Sequence, residues 1–320
     1  MGFLTLNRHE ALNALSLEMV NELSRLLSIW KANASIQAVA IRGSTKKGPF
    51  GNFCAGGDIR FFHMAGCSGD KQLDEFFTAE YRLNHLIFTY PKPYIAFLDG
   101  IVMGGGMGIS QGASLRIITE RTKMAMPETN IGFFPDVGGG FFLSRCPDNL
   151  GEYLGLTGQA LIGNDALFAG LADHVVDSES LDQLWQNLSD SSIRSVDDRI
   201  SHLKSQLETQ PPVERWPKWW DDRINDVFAM NSIQDMVNSL TNMGVGWPAE
   251  VLSVLMQRSP LMLHVTLAQI RRARTMSLAD DLRMERDLVH NCFYTEHLGR
   301  SKLTSETVEG IRALVIDKDL

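Results

Sequence analysis

Cysteine is scarce and scattered in this chain of 320 residues. Cys54, Cys67, Cys146 and Cys292 form no CxxC or Cys/His cluster, which predicts neither a disulfide framework nor a structural zinc site; they read as free thiols in a reducing compartment. Cations are outnumbered as well: 30 Lys and Arg against 38 Asp and Glu give a formal charge of −8. That balance argues against a nucleic-acid partner, while leaving room for a local basic pocket around a phosphorylated small molecule. No run approaches the ~18 apolar residues of a membrane span, so no membrane partner is expected. The opening MGFLTLNRHEALNALS lacks the basic and apolar regions of a secretory signal. A cytoplasmic setting is expected, or the mitochondrial matrix if a transit peptide has been removed. Internal repeats and low-complexity tracts are absent too. With 44% hydrophobic and 21% charged residues, the remainder has ordinary globular composition and ample length for a core.

Three short apolar runs, 3-FLTL-6, 38-AVAIR-42 and 94-YIAFL-98, read as strands. Each is followed by a polar or glycine-rich break and then a helical pattern, as in repeated β-α units. Segments 115-LRIIT-119 and 122-TKMAM-126 predict two further strands. A helix is predicted from Ser16 to Lys31, with Leu17, Val20, Leu23, Leu27 and Trp30 at helical spacing and Ser16 as its N-cap. Another, over 70–89, sets Leu73, Phe76, Phe77, Tyr81 and Leu86 on a buried side. After residue 178 the β-branched runs end and helices are predicted over 248–257, 260–273, 277–291 and 305–315. A polar patch at 188–198 and a tryptophan-rich connector, 211-PPVERWPKWW-220, break this region. The expected organisation is an α/β core over 1–178 carrying the site, and a helical C-terminal region over 179–320.

Two glycine-rich turns, 53-FCAGGDIR-60 and 103-MGGGMGIS-110, lead from strand or loop into helix. Glycine permits tight backbone and the close approach of a ligand to backbone N–H groups. Two such turns could offer two donors to one oxygen that turns negative during reaction, although a packing role alone would also explain them. Neither matches the spacing of a dinucleotide or nucleoside-triphosphate loop. Between them and the helical region lies 126-MPETNIGFFPDVGGGFFL-143, where Glu128 and Asp136 sit among apolar and aromatic residues. Acids are rarely placed in such company unless paired or used.

FCAGGDI, KPYIAFLDGIVMGGGMGIS and AMPETNIGFFPDVGGGFFLSR, in that order, resemble the crotonase (enoyl-CoA hydratase/isomerase) superfamily, and within it the 3-hydroxyisobutyryl-CoA hydrolase branch. LTLNRHEALNALS, LGEYLGLTG and the closing EGIRALVIDKD carry the resemblance over nearly the whole chain. It implies an α/β fold, a crotonase-like spiral of repeated β-β-α units with a helical C-terminal region. It implies an acyl-CoA substrate, with no metal and no cofactor, CoA being part of the substrate. The expected reaction is hydrolysis of a short 3-hydroxyacyl-CoA thioester, as in valine catabolism. Trimers and dimers of trimers are common in the superfamily, so a homo-oligomer, trimer or hexamer, is expected.

Carried over by residue, the resemblance gives the backbone N–H groups of Gly57 and Gly105 as an oxyanion hole, Glu128 and Asp136 as catalytic acids, and Glu80 as a further substrate contact. It places CoA near Arg8, Asn13, Ala55 and Asp58, with Lys46, Lys47 and Lys92 as weaker candidates for phosphate contact. Simpler readings stand beside these. Asp136 could cap a helix after Pro135, Glu80 could lie on a solvated face or pair with Arg82 or Lys71, Asp58 reads better as a cap, and Cys54 as structural. Enoyl-CoA hydratases carry a second catalytic glutamate in GGGxE; here that position is Gly108. Its loss favours the hydrolase branch over a hydratase, and leaves a single-acid hydratase or isomerase as the alternative. A crotonase scaffold kept for CoA sensing is a third reading. The chain departs from the branch in a short first strand, a short end and a longer segment over 292–310, which bears on acyl-group choice.

Overall fold

The computed structural model describes residues 1–190, 195–207 and 220–319. The expected connector, apart from Trp220, lies outside them, as do residues 191–194 of the polar patch. The first half of the chain contains β1 (Gly2–Leu6), α1 (Leu17–Ala32), β2 (Val39–Gly43), α2 (Ile59–Ser68), α3 (Gln72–Phe88), β3 (Tyr94–Leu98), β4 (Ile101–Met103), α4 (Gly105–Gly108), β5 (Leu115–Thr119) and β6 (Lys123–Ala125). There follow α5 (Gly139–Leu143), α6 (Leu150–Thr157), β7 (Leu161–Ile162), α7 (Asp165–Phe168), β8 (His174–Val176), α8 (Leu181–Ser189) and α9 (Val196–Leu207). The remaining described helices are α10 (Arg223–Phe228), α11 (Ile233–Met243), α12 (Trp247–Met256), α13 (Pro260–Ala273), α14 (Leu278–Phe293) and α15 (Glu306–Ile311).

These elements fall into two compact units that interleave along the chain. One comprises Met1–Gly57, Leu83–Met124 and Leu161–Lys218; the other comprises Asp58–Arg82, Ala125–Ala160 and Trp219–Leu320. The helical region after residue 178 thus supplies α8 and α9 to the first unit and α10 to α15 to the second.

The first unit is built on a parallel five-stranded sheet in the order β1-β2-β3-β5-β8. Its central strands are buried along nearly their whole length, which is why they read as continuous apolar runs rather than alternating ones. Trp185 of α8 packs edge-on against Phe97 of β3 and Phe3 of β1, and Leu203 and Leu207 of α9 complete the same core. Helix α1 starts where expected: the Ser16 hydroxyl accepts the Met19 N–H, and Val20, Leu23 and Leu27 face inward. A second sheet joins β4, β6 and β7. In the earlier repeats its place is taken by single bridges, Leu15 to Gly57 and Cys54 to Val102. The β-β-α repeat is therefore present, with its second strand reduced to one pairing where the chain turns into α1 and α2. The short β4, β7 and β8 were not foreseen; two or three residues give no readable period.

The second unit is helical. Helix α13 packs on α5 and α6, α10 on α6, and α15 on both α2 and the 3-10 turn Glu128–Ile131. Helices α12, α13 and α14 lie within two residues of the predicted ranges, because serines cap α13 and α14 and prolines begin α12 and α13. The expected final helix is shorter: α15 ends at Ile311 and a π-helical turn, Arg312–Asp317, follows. Arg312 there pairs with Glu309, Asp317 and Asp319. A Cβ at Gly310 would lie 2.4 Å from the carbonyl carbon of Ile131, and one at Gly132 would lie 2.1 Å from the Glu306 oxygen. The Thr307 hydroxyl donates to the Gly132 carbonyl at 2.7 Å. These two glycines let α15 lie directly against the turn that carries Glu128.

Gly310→Ala should therefore lower stability by about 1–3 kcal/mol in urea unfolding. Gly48→Ala, where a Cβ meets nothing within 4 Å, should change it by less than about 0.5 kcal/mol; equal effects would contradict the close approach.

Candidate active site

Three acids converge inside the second unit. Glu80 is 2% exposed, Glu128 8% and Asp136 5%. Glu80 projects from α3, on the helix side that also buries Phe76, Phe77 and Tyr81, so it is not on a solvated face. Glu128 opens the 3-10 turn that follows β6 and Pro127, and Gly132, at φ +63°, ends that turn. Phe77 and Phe133 contact one another and Phe293 of α14, and Phe62 and Phe76 extend the aromatic cluster. The apolar character around the two acids in the sequence thus becomes a wall of rings within the fold.

Burial, with no cationic partner among the described residues, governs the protonation of this cluster. Desolvation, then the negative charges of Asp136 and Glu128, push the Glu80 carboxyl well above the usual carboxylate range. Desolvation and Asp136 do the same to Glu128. Asp136 is raised to about 7 by burial, and is held from going higher by hydrogen bonds from Tyr81 and the backbone. Glu80 Oε1 and Glu128 Oε2 have no hydrogen-bond partner among the described residues.

Asp136 is not a helix cap. Helix α5 begins at Gly139 with Gly138 at its N-cap, and the Asp136 carboxylate instead accepts the Tyr81 hydroxyl at 2.8 Å. The glycine turn after it is braced from α13 and α14. Glu285 accepts the Gly138 N–H at 2.7 Å and the Gly140 N–H at 3.1 Å, and Asp281 accepts the Phe141 N–H at 2.8 Å. Gln269 donates to the Pro135 carbonyl and, at 2.9 Å, to Glu285. Sequence reasoning placed Tyr81 only on a buried helix side, and gave Gln269, Asp281 and Glu285 no role. A carboxylate serving backbone amides far along the chain leaves no spacing signal.

The glycine turns belong to the first unit and lie side by side there. A Cβ at Gly56, whose φ is +106°, would sit 3.4 Å from the Met103 oxygen and 3.7 Å from the Gly105 nitrogen. Gly104 has a φ of +47°, and Gly106 lies so close to Cys54 that a Cβ would be 2.5 Å from its carbonyl oxygen. Gly105 is the first residue of α4, so its N–H precedes the first intrahelical bond, which Met107 makes to Gly104. Gly57 bridges to Leu15, and the buried Cys54 thiol donates to the Gly56 carbonyl.

Residues expected near CoA have structural partners. The Asn13 amide, fully buried, donates to Ser44 at 3.1 Å and Asn52 at 2.7 Å and accepts the Arg8 N–H at 2.8 Å, tying three loops together. The Arg8 guanidinium donates to Ala14, the Ala55 N–H donates to Leu12, and Lys92 caps the end of α1 through Trp30 and Asn33. Asp58, in the second unit, caps α2 by accepting the Phe61 N–H. Among the described residues, no group of three or more His, Cys, Asp or Glu is arranged to hold a metal ion. None of their helices alone is long and apolar enough to cross a membrane.

Comparison with known proteins agrees with this architecture. The family model described as enoyl-CoA hydratase/isomerase matches residues 1–320. The mitochondrial 3-hydroxyisobutyryl-CoA hydrolase of Gallus gallus is 38% identical over 323 residues, covering 99% of this chain and 80% of the relative. Its counterpart in Xenopus tropicalis is 40% identical over 324 residues with the same coverage. Among solved structures, a carnitinyl-CoA dehydratase from Mycobacterium thermoresistibile superposes with a TM-score of 0.85 at 34% identity, over 98% of this chain and 86% of that one. With a matching family model along its whole length and relatives of this similarity, the chain belongs to the enoyl-CoA hydratase/isomerase family.

Proposed function

We propose that the chain hydrolyses 3-hydroxyisobutyryl-CoA, or a close short 3-hydroxyacyl-CoA, to the free acid and CoA, as in valine catabolism. One observation carries the reading: Glu128 and Asp136 are buried in a single interacting acid cluster, in a chain with Gly108 where a hydratase has its second glutamate. The hydrolase relatives, similar over 99% of the chain, support it. Their mitochondrial naming favours the mitochondrial matrix over the cytoplasm, and the family resemblance supports a homo-oligomer, trimer or hexamer.

The reaction adds water to a thioester, and its atoms balance with no cofactor. Burial holds these carboxyl groups towards their protonated forms, and a negative charge on one opposes a charge on the next. When that charge rests on Glu128, Asp136 holds a proton, so one shared charge yields a base and an acid together. Glu128 then attacks the carbonyl carbon, forming an anhydride that water opens, or removes a proton from the attacking water. Either route passes through an oxyanion, which the resemblance assigns to the N–H groups of Gly57 and Gly105; one such donor is typically worth about 3–4 kcal/mol. As the intermediate collapses, the C–S bond breaks and Asp136 protonates the departing thiolate. Glu80, with an unpartnered oxygen, is suited to the substrate's 3-hydroxyl. Arg8, Asn13, Ala55 and Asp58 serve the CoA side in this reading through loop shape and backbone, since their side chains or amides already have protein partners.

A second reading, a hydratase or dehydratase working with Glu128 alone, is favoured by the likeness to the carnitinyl-CoA dehydratase structure. Gly108, which offers no second acid, weighs against it.

Thiol release from 3-hydroxyisobutyryl-CoA should fall by about 10²–10⁴-fold in Glu128→Gln. Absence of release by the wild type, or undiminished release by the variant, would sink the assignment, and loss of the conjugated absorbance of crotonyl-CoA would select the second reading. Stability should also report on Asp136. Its folded value, about 7, lies above the ordinary 3.8, so the folded state holds a proton that the unfolded chain releases. Its stabilising contribution is complete below pH ~4 and lost as pH rises through ~7. Denaturant unfolding should show this decline in the wild type and a flatter profile in Asp136→Asn; parallel profiles would contradict it.

A further inference from the structure

Tyr81 is the one protein side chain that hydrogen-bonds the Asp136 carboxylate among the described residues, and neither the sequence motifs nor the reaction outlined above gives it a task. We propose that Tyr81 is a positioning residue whose phenol O–H fixes the Asp136 carboxylate and sets which acid of the cluster carries its charge. The inference rests on the hydrolase reading and deepens it.

The geometry suits that role. Tyr81 is 4% exposed, its ring packs edge-on against Phe77 with centroids 6.1 Å apart, and its hydroxyl reaches Asp136 Oδ2 at 2.8 Å. It follows Glu80 directly on α3, so one rigid helix holds one member of the cluster and aims a donor at another. The backbone on both sides of Asp136 is held, the Pro135 carbonyl by Gln269 and the Gly138 and Gly140 N–H groups by Glu285.

The groups around Asp136 are acidic or neutral on every element packed there. Glu80 and Tyr81 come from α3 and Glu128 from the 3-10 turn. Glu285 and the buried Cys292 thiol come from α14, with Asp281 behind Glu285. No Lys, Arg or His among the described residues acts on Asp136, Glu80, Glu128 or Tyr81. With no cation to favour ionisation, a donated hydrogen bond is the chief means of lowering one acid relative to the others. Burial and the acids around it keep the Tyr81 phenol protonated, so it is a permanent donor. A donor to a carboxylate favours the charged form, and among the described residues Asp136 is the one of the three acids that receives a side-chain donor. Tyr81 thereby makes Asp136 the resting place of the charge, from which a proton shift to it activates Glu128.

The test uses the full-length protein with Tyr81→Phe, which keeps the ring and removes the donor, and with 3-fluorotyrosine at position 81, which keeps the ring and strengthens the donor. In Tyr81→Phe the acidic limb of kcat/KM for thiol release should move up by about one pH unit. Activity one unit below the wild-type midpoint should change by less than about twofold while the plateau above the limb rises, by up to about tenfold, with KM changed less than about twofold. The fluorinated protein should move the limb the other way. Carbon-13 titration of the Asp136 carboxyl, with no substrate present, should shift in the same two directions, and it reads the proposal even if the wild type hydrolyses nothing. A limb and an Asp136 titration that stay in place, with activity falling evenly at all pH values, would overturn the positioning role. Should Tyr81→Phe fail to fold, the fluorinated protein decides alone, an unmoved titration overturning the proposal.

Discussion

Everything about the site follows from enclosing three carboxyl groups where no cation among the described residues compensates them. Such groups answer burial by keeping their protons. Glu80, Glu128 and Asp136 are buried together, so the ionisation of one is opposed by the next. A surface acid would be fully charged at neutral pH and would have little affinity for a proton in either direction. In the proposed reaction that raised proton affinity is put to use, one acid of the cluster taking a proton as another gives one up.

Keeping that arrangement costs structure elsewhere. The turn bearing Glu128 is closed by Gly132 and covered by α15, which can approach only because Gly310 lacks a Cβ. The turn after Asp136 is held by Glu285, Asp281 and Gln269 from α13 and α14. Glu285 and Asp281 are themselves buried acids, raised by desolvation, and the backbone N–H groups they accept are what makes their burial tolerable. The helical C-terminal region is thus part of the machinery around the acids. In the first unit the GGG run is needed backbone by backbone: Gly104 takes a positive φ, and Gly106 meets the Cys54 carbonyl.

Much of this was legible in the chain. Strands β1, β2, β3 and β5 showed as apolar runs because parallel strands are buried on both faces, and Ser16 marked a helix start that the fold keeps. Glu128 and Asp136 stood out because an acid in an aromatic stretch demands a reason. Other features could not be read. The single-pair bridges at Leu15 and Cys54 that replace strands have no period. Asp136 after Pro135 looked like a helix start, but Gly138 takes the cap and frees the carboxylate. The Tyr81 contact spans 55 residues of sequence and the Glu285 contact 147. Local patterning reports which side of a helix is buried, and only the tertiary fold reports what a buried hydroxyl or carboxylate touches.

The most direct measurement of the central claim is the fate of 3-hydroxyisobutyryl-CoA incubated with the protein in heavy water and followed by proton NMR. Hydrolysis through Glu128 and Asp136 predicts free 3-hydroxyisobutyrate and free CoA, with the hydrogen on the α-carbon retained. Formation of the α,β-unsaturated CoA ester, or deuterium at the α-carbon with the thioester intact, would contradict it and assign the buried acids to proton abstraction instead.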